Sequence, residues 1–163
     1  DTPDTHDAFR LLPGVVEGCR LLHDAGYLLI VVTNEPHLAR GTQTLAVIEA
    51  MHDRARALLP LDEIVICPHD HGDLCPCRKP QPGMLIAAAV RWGIDLPSSF
   101  MIGDRSTDIL AGDSAGCTTI FIDRRQEGML PDDGARAHCK PDASAADLLS
   151  AAAMILKPKP RRS

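Results

Sequence analysis

The stretch Leu28-Leu29-Ile30-Val31-Val32-Thr33-Asn34 decides the fold. Five apolar residues in a row, three of them β-branched, are too few for a core helix. They predict a strand over 28–32 buried on both faces, as in a parallel sheet. Ile64-Val65-Ile66, Phe100-Met101-Ile102 and Thr119-Ile120-Phe121-Ile122 are three further runs of this kind. Helical patterns fall between and around them. Val15 to Ala25 reads as a helix ended by Gly26. Thr42 is placed to cap a helix running to about Leu59, where Pro60 stops it. Pro82 suits the first helical position of a segment that continues through Trp92 to Gly93. A fourth helix follows Asp104, and a fifth starts near Ala143 and ends before Pro158. Strands alternating with helices predict an α/β fold in which a mainly parallel sheet is covered by helices on its faces. In such folds ligands bind beyond the carboxyl ends of the strands. Three of the runs end there in polar groups: Thr33-Asn34, Cys67-Pro68-His69 and Gly103-Asp104.

The chain has 163 residues, which suits one domain over 1–156 followed by a short basic tail over 157–163. A balance of 17 basic against 22 acidic side chains, net −5, argues against nucleic acid as a partner. Aromatic residues at 3% provide no platform for stacking bases. No run approaches the ~20 apolar residues of a membrane span. No signal segment opens the chain, so the six cysteines point to a reduced, cytoplasmic protein and not to a disulfide framework. A monomer acting on a small metabolite is the expected form.

Cys67 and His69 form a Cys-x-His pair, and Cys75 and Cys77 a Cys-x-Cys pair close behind. Three thiolates and an imidazole are a closed tetrahedral set, the pattern of structural Zn²⁺ that activates no water. Asp70, His71 and Asp73 are alternative donors within the same loop, and plain buried or disulfide-bonded cysteines are the competing interpretation. Cys19, Cys117 and Cys139 lack such company and read as small packed side chains.

Arg78 and Lys79 follow the last of these cysteines directly, ahead of Pro80-Gln81-Pro82. A lysine fixed there is a point charge suited to phosphate, and Arg78 offers a bidentate fork. Thr33 and Asn34 supply a hydroxyl and an amide suited to phosphoryl oxygens; alone they would read better as a strand end with an Asx turn. Asp104 and Asp108 stand four apart at a strand end and the start of a helix. Their hard oxygens suit Mg²⁺, and the same two carboxylates would equally serve as helix-capping groups.

Together these stretches resemble the haloacid dehalogenase superfamily of phosphatases, in particular its cap-less, zinc-loop branch of heptose 1,7-bisphosphate 7-phosphatases and histidinol phosphatases. The similarity runs from about Phe9-Arg10-Leu11-Leu12-Pro13-Gly14 to Phe121-Ile122-Asp123. Val31-Val32-Thr33-Asn34-Glu35 is similar to the second motif of that family. The segment from Cys67 through Cys77-Arg78-Lys79-Pro80 is similar to its zinc loop and third motif, and Ile102-Gly103-Asp104 with Asp108 to its fourth. The resemblance implies a Rossmann-like three-layer sandwich and Mg²⁺-dependent hydrolysis of a small sugar phosphate. It implies that Thr33 and Lys79 stabilise the transferring phosphoryl group and that Asp104 binds Mg²⁺. Asn34, Glu35, Pro36, Arg78 and Arg105 would contact substrate. Glu35 stands where the family commonly has glutamine, and Arg105 where it often has lysine.

The family's chemistry uses an Asp-x-Asp pair at the end of a first strand, one carboxylate attacking phosphorus and the other transferring protons. No Asp-x-Asp occurs in this chain. The expectation is that the nucleophile lies upstream of residue 1 and that the chain by itself is inactive, Asp1 and Asp4 being poor replacements. A zinc-stabilised binding module without catalysis is the alternative from another class.

Overall fold

The computed structural model describes residues 12–70, 72–124 and 139–158. In order, the elements are α1 (Val15–Asp24), β1 (Ile30–Asn34), α2 (Pro36–Arg40), α3 (Leu45–Leu58), β2 (Glu63–Cys67), α4 (Gly83–Trp92), β3 (Phe100–Gly103), α5 (Ser106–Ala115), β4 (Thr118–Ile122), β5 (Ala143–Ala145) and α6 (Leu148–Leu156). All strand pairs among the described residues are parallel. They form two ladders, β1–β2 and β3–β4–β5. The expected α/β class with parallel strands and crossover helices is what the chain adopts.

Side chains connect the two ladders. Val32 of β1 packs on the cluster of Leu85, Met101, Ala111 and Cys117, which α4, β3 and α5 contribute with the turn after α5. Helices α4 and α5 touch each other; α4 lies against β1 and β2, and α5 against β3 and β4. Helix α6 lies against β4 and β5, with α1 packed on it. Two glycines permit close approaches. A Cβ on Gly112 would fall 2.4 Å from that of Met101, so the glycine lets α5 press onto β3. One on Gly18 would fall 2.9 Å from the Leu148 backbone, where α1 meets α6. Ile48, Met84 and Ile109 are almost wholly buried, each stabilising the fold by about 1.5–3 kcal/mol relative to exposure.

Four boundaries differ from the sequence reading. The first strand begins at Ile30, and Leu28 is exposed. Within β1 only Thr33 is fully buried, because the strand pairs with β2 alone among the described residues. Burial on both faces, expected for this run, is therefore not found. Thr44 caps α3 in place of Thr42, its hydroxyl accepting from the Val47 amide at 3.3 Å. Thr42 instead contacts His37 Nδ1 at 2.9 Å through its hydroxyl. Pro82 is the N-cap of α4, one residue before the expected position. Ala143-Ser144-Ala145 is a strand and not the start of the last helix, which Asp147 caps through the Ser150 amide at 2.7 Å. Pairing with β4 overrides the helix preference of alanine there. Residues 1–11 and 159–163, with Asp1, Asp4 and most of the basic tail, lie outside the described residues, as does His71.

Candidate active site and metal centre

At the carboxyl end of β1 the chain turns sharply. The Glu35 amide continues the ladder by donating to the Cys67 carbonyl at 2.7 Å. Pro36 then starts α2, which Gly41 ends in the left-handed conformation at φ 70°. Proline at the first position and glycine after the last form a bracket legible in the sequence as a short helix.

The end of β2 leads into the cysteine loop. One donor atom from each of Cys67, His69, Cys75 and Cys77 lies within 4.8 Å of all the others. The Cys67 sulfur is 3.7 Å from that of Cys75, 3.0 Å from that of Cys77 and 3.4 Å from His69 Nδ1, which is 3.3 Å from the Cys77 sulfur. Sulfurs arranged tetrahedrally at Zn–S bond lengths stand about 3.8 Å apart; the Cys67–Cys75 separation matches this and Cys67–Cys77 is shorter, so the donor set is of the size that one such ion would bridge. None of these cysteines is in a disulfide. Burial acts to raise the Cys75 thiol, but hydrogen bonds from the Arg78 amide and the neighbouring thiols outweigh it and draw it down to about 7. Burial, reinforced by its sulfur neighbours, pushes Cys77 up to about 12. Sulfurs this close cannot all ionise without a cation among them.

Two of the rival donors of the loop, Asp70 and Asp73, have other partners. Arg40 of α2 forks onto the Asp70 carboxylate with two bonds of 2.7 Å, and the Asp73 carboxylate accepts from the Asp70 amide at 2.8 Å. Arg78 Nη1 donates to the His69 carbonyl at 3.1 Å. The loop is seated on α4 through Gly83, whose amide donates to the Pro76 carbonyl at 2.9 Å. A Cβ on Gly83 would fall 2.2 Å from that oxygen.

Lys79 sits between the ladders. Its backbone is gripped on both sides by the Asn34 side chain: the Lys79 amide donates to Oδ1 at 3.0 Å, and Nδ2 donates to the Lys79 carbonyl at 3.2 Å. Its ammonium donates to Asp108 Oδ1 at 2.6 Å and to the Val32 carbonyl at 2.9 Å. Both charged side chains are largely buried, at 12% and 9% exposure. The other Asp108 oxygen accepts from the Arg105 amide at 3.2 Å. Gly103 makes this possible, since a Cβ there would overlap the Asp108 side chain at 2.4 Å. Asp104, next along, is more open, with 37% of its side chain exposed. Its carboxylate accepts from Arg124 just past β4 at 2.9 Å. One accessible carboxylate at a strand end fits Mg²⁺, which binds through one or two carboxylates and otherwise keeps water or takes phosphate oxygens.

Lys79 thus joins Asn34 and Val32 of β1 to Asp108 of α5, whose side chain lies against Gly103, the residue before Asp104. Arg105 is exposed beside Asp104, and Pro36 is partly buried at the start of α2. Glu35 is placed differently from a group lining a substrate loop, with no exposed surface at all. Its Oε1 accepts from the Thr33 hydroxyl at 3.3 Å and lies 3.9 Å from His52 Nε2, while Oε2 has no hydrogen-bond partner among the described residues. Burial raises the Glu35 carboxyl, opposed by the Thr33 hydroxyl and the Lys79 charge. Burial lowers His52, helped by nearby Arg56 and opposed by Asp53 and Glu49. Sequence reasoning missed His52, Arg40 and Arg124. A single histidine within a helix carries no signal, whereas Arg124 could have been found as a charge just past a strand end.

The HAD-hydrolase-like family matches residues 76–151, which include Lys79, Asp104 and Asp108. The chain is 37% identical over 123 residues to D-glycero-beta-D-manno-heptose-1,7-bisphosphate 7-phosphatase of Pseudomonas aeruginosa, covering 72% of this chain and 69% of that protein. It is 34% identical over 138 residues to the enzyme of the same name from Escherichia coli K12, covering 77% and 72%. Among solved structures it is similar to D,D-heptose 1.7-bisphosphate phosphatase from B. bronchiseptica complexed with magnesium and phosphate. The TM-score is 0.73 at 30% identity, over 89% of this chain and 83% of that one. Among the described residues no helix is long and apolar enough to cross a membrane.

Proposed function

As this chain belongs to the D-glycero-D-manno-heptose-1,7-bisphosphate 7-phosphatase family of HAD-like hydrolases, we propose that it takes part in Mg²⁺-dependent removal of a phosphate from a small sugar bisphosphate, heptose 1,7-bisphosphate foremost. The observation that carries this reading is the buried Lys79 ammonium, fixed by Asn34 and Asp108 beside Thr33 at the strand ends.

Lys79 and the Thr33 hydroxyl meet the charge that builds on the transferring phosphoryl oxygens. They are already in place before reaction, so no reorganisation is needed when that charge develops. Asn34 acts on the Lys79 backbone, holding the ammonium at a fixed depth. Asp104 holds Mg²⁺, which when bound neutralises phosphate charge. Arg78 and Arg105 contribute cationic donors to the substrate beyond the reacting phosphate. Covalent attack on phosphorus is assigned to none of the described residues. Cys67, His69, Cys75 and Cys77 hold Zn²⁺ as a closed structural set, which fixes the loop carrying Arg78 and Lys79. Reduced thiols of this kind suit the cytoplasm.

The test is phosphate release from a panel of phosphorylated metabolites by the full-length protein, with and without Mg²⁺. Heptose 1,7-bisphosphate is expected to be the best substrate. Preference for histidinol phosphate would move the substrate class, and binding of phosphate esters without turnover would make the protein a binding module.

A further inference from the structure

The Thr33 hydroxyl has a partner that the phosphatase reading leaves without a task. Glu35 is wholly buried, yet its carboxyl reaches back beneath the strand end to the hydroxyl two residues earlier. Its own amide is tied to the Cys67 carbonyl at 2.7 Å, so its backbone cannot swing the side chain outward without breaking the β1–β2 ladder. From α3, buried His52 stands 3.9 Å from the same carboxyl oxygen. The charged group facing this pocket from the loop after β2 is Lys79, and Glu49, Asp53 and Arg56 surround His52 on α3.

We propose that Glu35, backed by His52, is a positioning residue that fixes the direction of the Thr33 hydroxyl, and that it does not touch substrate. The proposal rests on the reading that Thr33 meets the transferring phosphoryl group. A threonine hydroxyl has one proton to give. When that proton is donated to Glu35, the outward side of the oxygen can only accept. When the carboxyl itself carries a proton, Glu35 donates to Thr33, and the threonine proton turns outward toward a phosphoryl oxygen. Burial of the carboxyl favours the second arrangement. A glutamine amide at this position would donate in the same direction, so the acid and the amide are interchangeable here.

The experiment is a double-mutant cycle in the full-length protein. Glu35→Met is expected to lower kcat about 10- to 100-fold with KM within about twofold, the pattern of a contact used only in the transition state. Glu35→Gln is expected to restore kcat to within about threefold of wild type. Glu35→Met in a Thr33→Val background is expected to cost nothing beyond Thr33→Val, because residues acting through one another are not additive. If Glu35→Met does not fold, Glu35→Asp, which withdraws the carboxyl by one methylene, runs the same cycle. Multiplying effects, a rise in KM with kcat intact, or Glu35→Gln as damaged as Glu35→Met would each overturn the proposal. Inactivity of the wild type on sugar bisphosphates and p-nitrophenyl phosphate would instead sink the phosphatase reading. The cycle is then read by calorimetric binding of orthovanadate, where the same non-additivity is expected and independent effects overturn the proposal.

Discussion

Replacing Lys79 by methionine keeps most of the side-chain volume and removes the ammonium from between the two ladders. In the native protein that group lies 2.6 Å from Asp108 and 2.9 Å from the Val32 carbonyl. The variant leaves an Asp108 carboxylate with 9% exposure and, among the described residues, the Arg105 amide at 3.2 Å as its remaining hydrogen-bond donor. Breaking one side of a buried pair typically costs about 3–5 kcal/mol, so Tm is expected to fall by roughly 6–20 °C in a chain of this size. Turnover is expected to fall about 10²–10³-fold through loss of a preorganised contact to the phosphoryl group. The two losses have different causes and can be separated. Adding Asp108→Asn removes the stranded charge and should recover more than half of the stability. It should recover none of the rate, because asparagine does not return a cation to the site. Thermal melts monitored by circular dichroism, with phosphate release below the lowest Tm, measure both quantities. If Lys79→Met/Asp108→Asn regains activity along with stability, Lys79 serves only as a structural counter-ion and leaves the proposed mechanism.

Two further outcomes follow from the cysteine loop. Elemental analysis of protein purified without added metal should give about one zinc per chain, and chelation or Cys75→Ser should lower both zinc content and Tm together; disulfides among these cysteines would refute the site. Gly83→Ala should cost about 1–3 kcal/mol of stability, because its methyl would fall 2.2 Å from the Pro76 carbonyl. Bound zinc in that variant should be more easily chelated, and a wild-type melting curve would show that the loop is not seated on α4 as described.

Much of this protein is determined locally and can be read from the sequence. β-Branched runs bounded by polar residues gave the four longer strands, and the glycines after α1 and α4 marked where those helices end. Four donor side chains within a single loop need only that loop to close, so their spacing was sufficient to predict that they converge. Features that depend on long-range contact were not legible. Ala143-Ser144-Ala145 has no strand character of its own and becomes one by pairing with Ile120, Phe121 and Ile122. Thr42 and Thr44 are equivalent caps by sequence, and the turn after α2 decides between them by engaging Thr42 with His37.

The candidate site divides along the same line. Residue type and motif singled out Thr33, Asn34, Lys79 and Asp104 as candidates; Thr33 and Asn34 end β1 and Asp104 follows β3, whereas Lys79 lies in the loop between β2 and α4. Only the tertiary structure gave them their partners. It turned Asn34 into a clamp on the Lys79 backbone 45 residues away and set Asp108 against the Lys79 ammonium. It also buried Glu35, which position alone had assigned to substrate, against Thr33 and His52. The physical reason is that a residue's chemistry is a property of its side chain. Which groups that side chain meets, and whether water reaches it, depends on how distant segments pack around it.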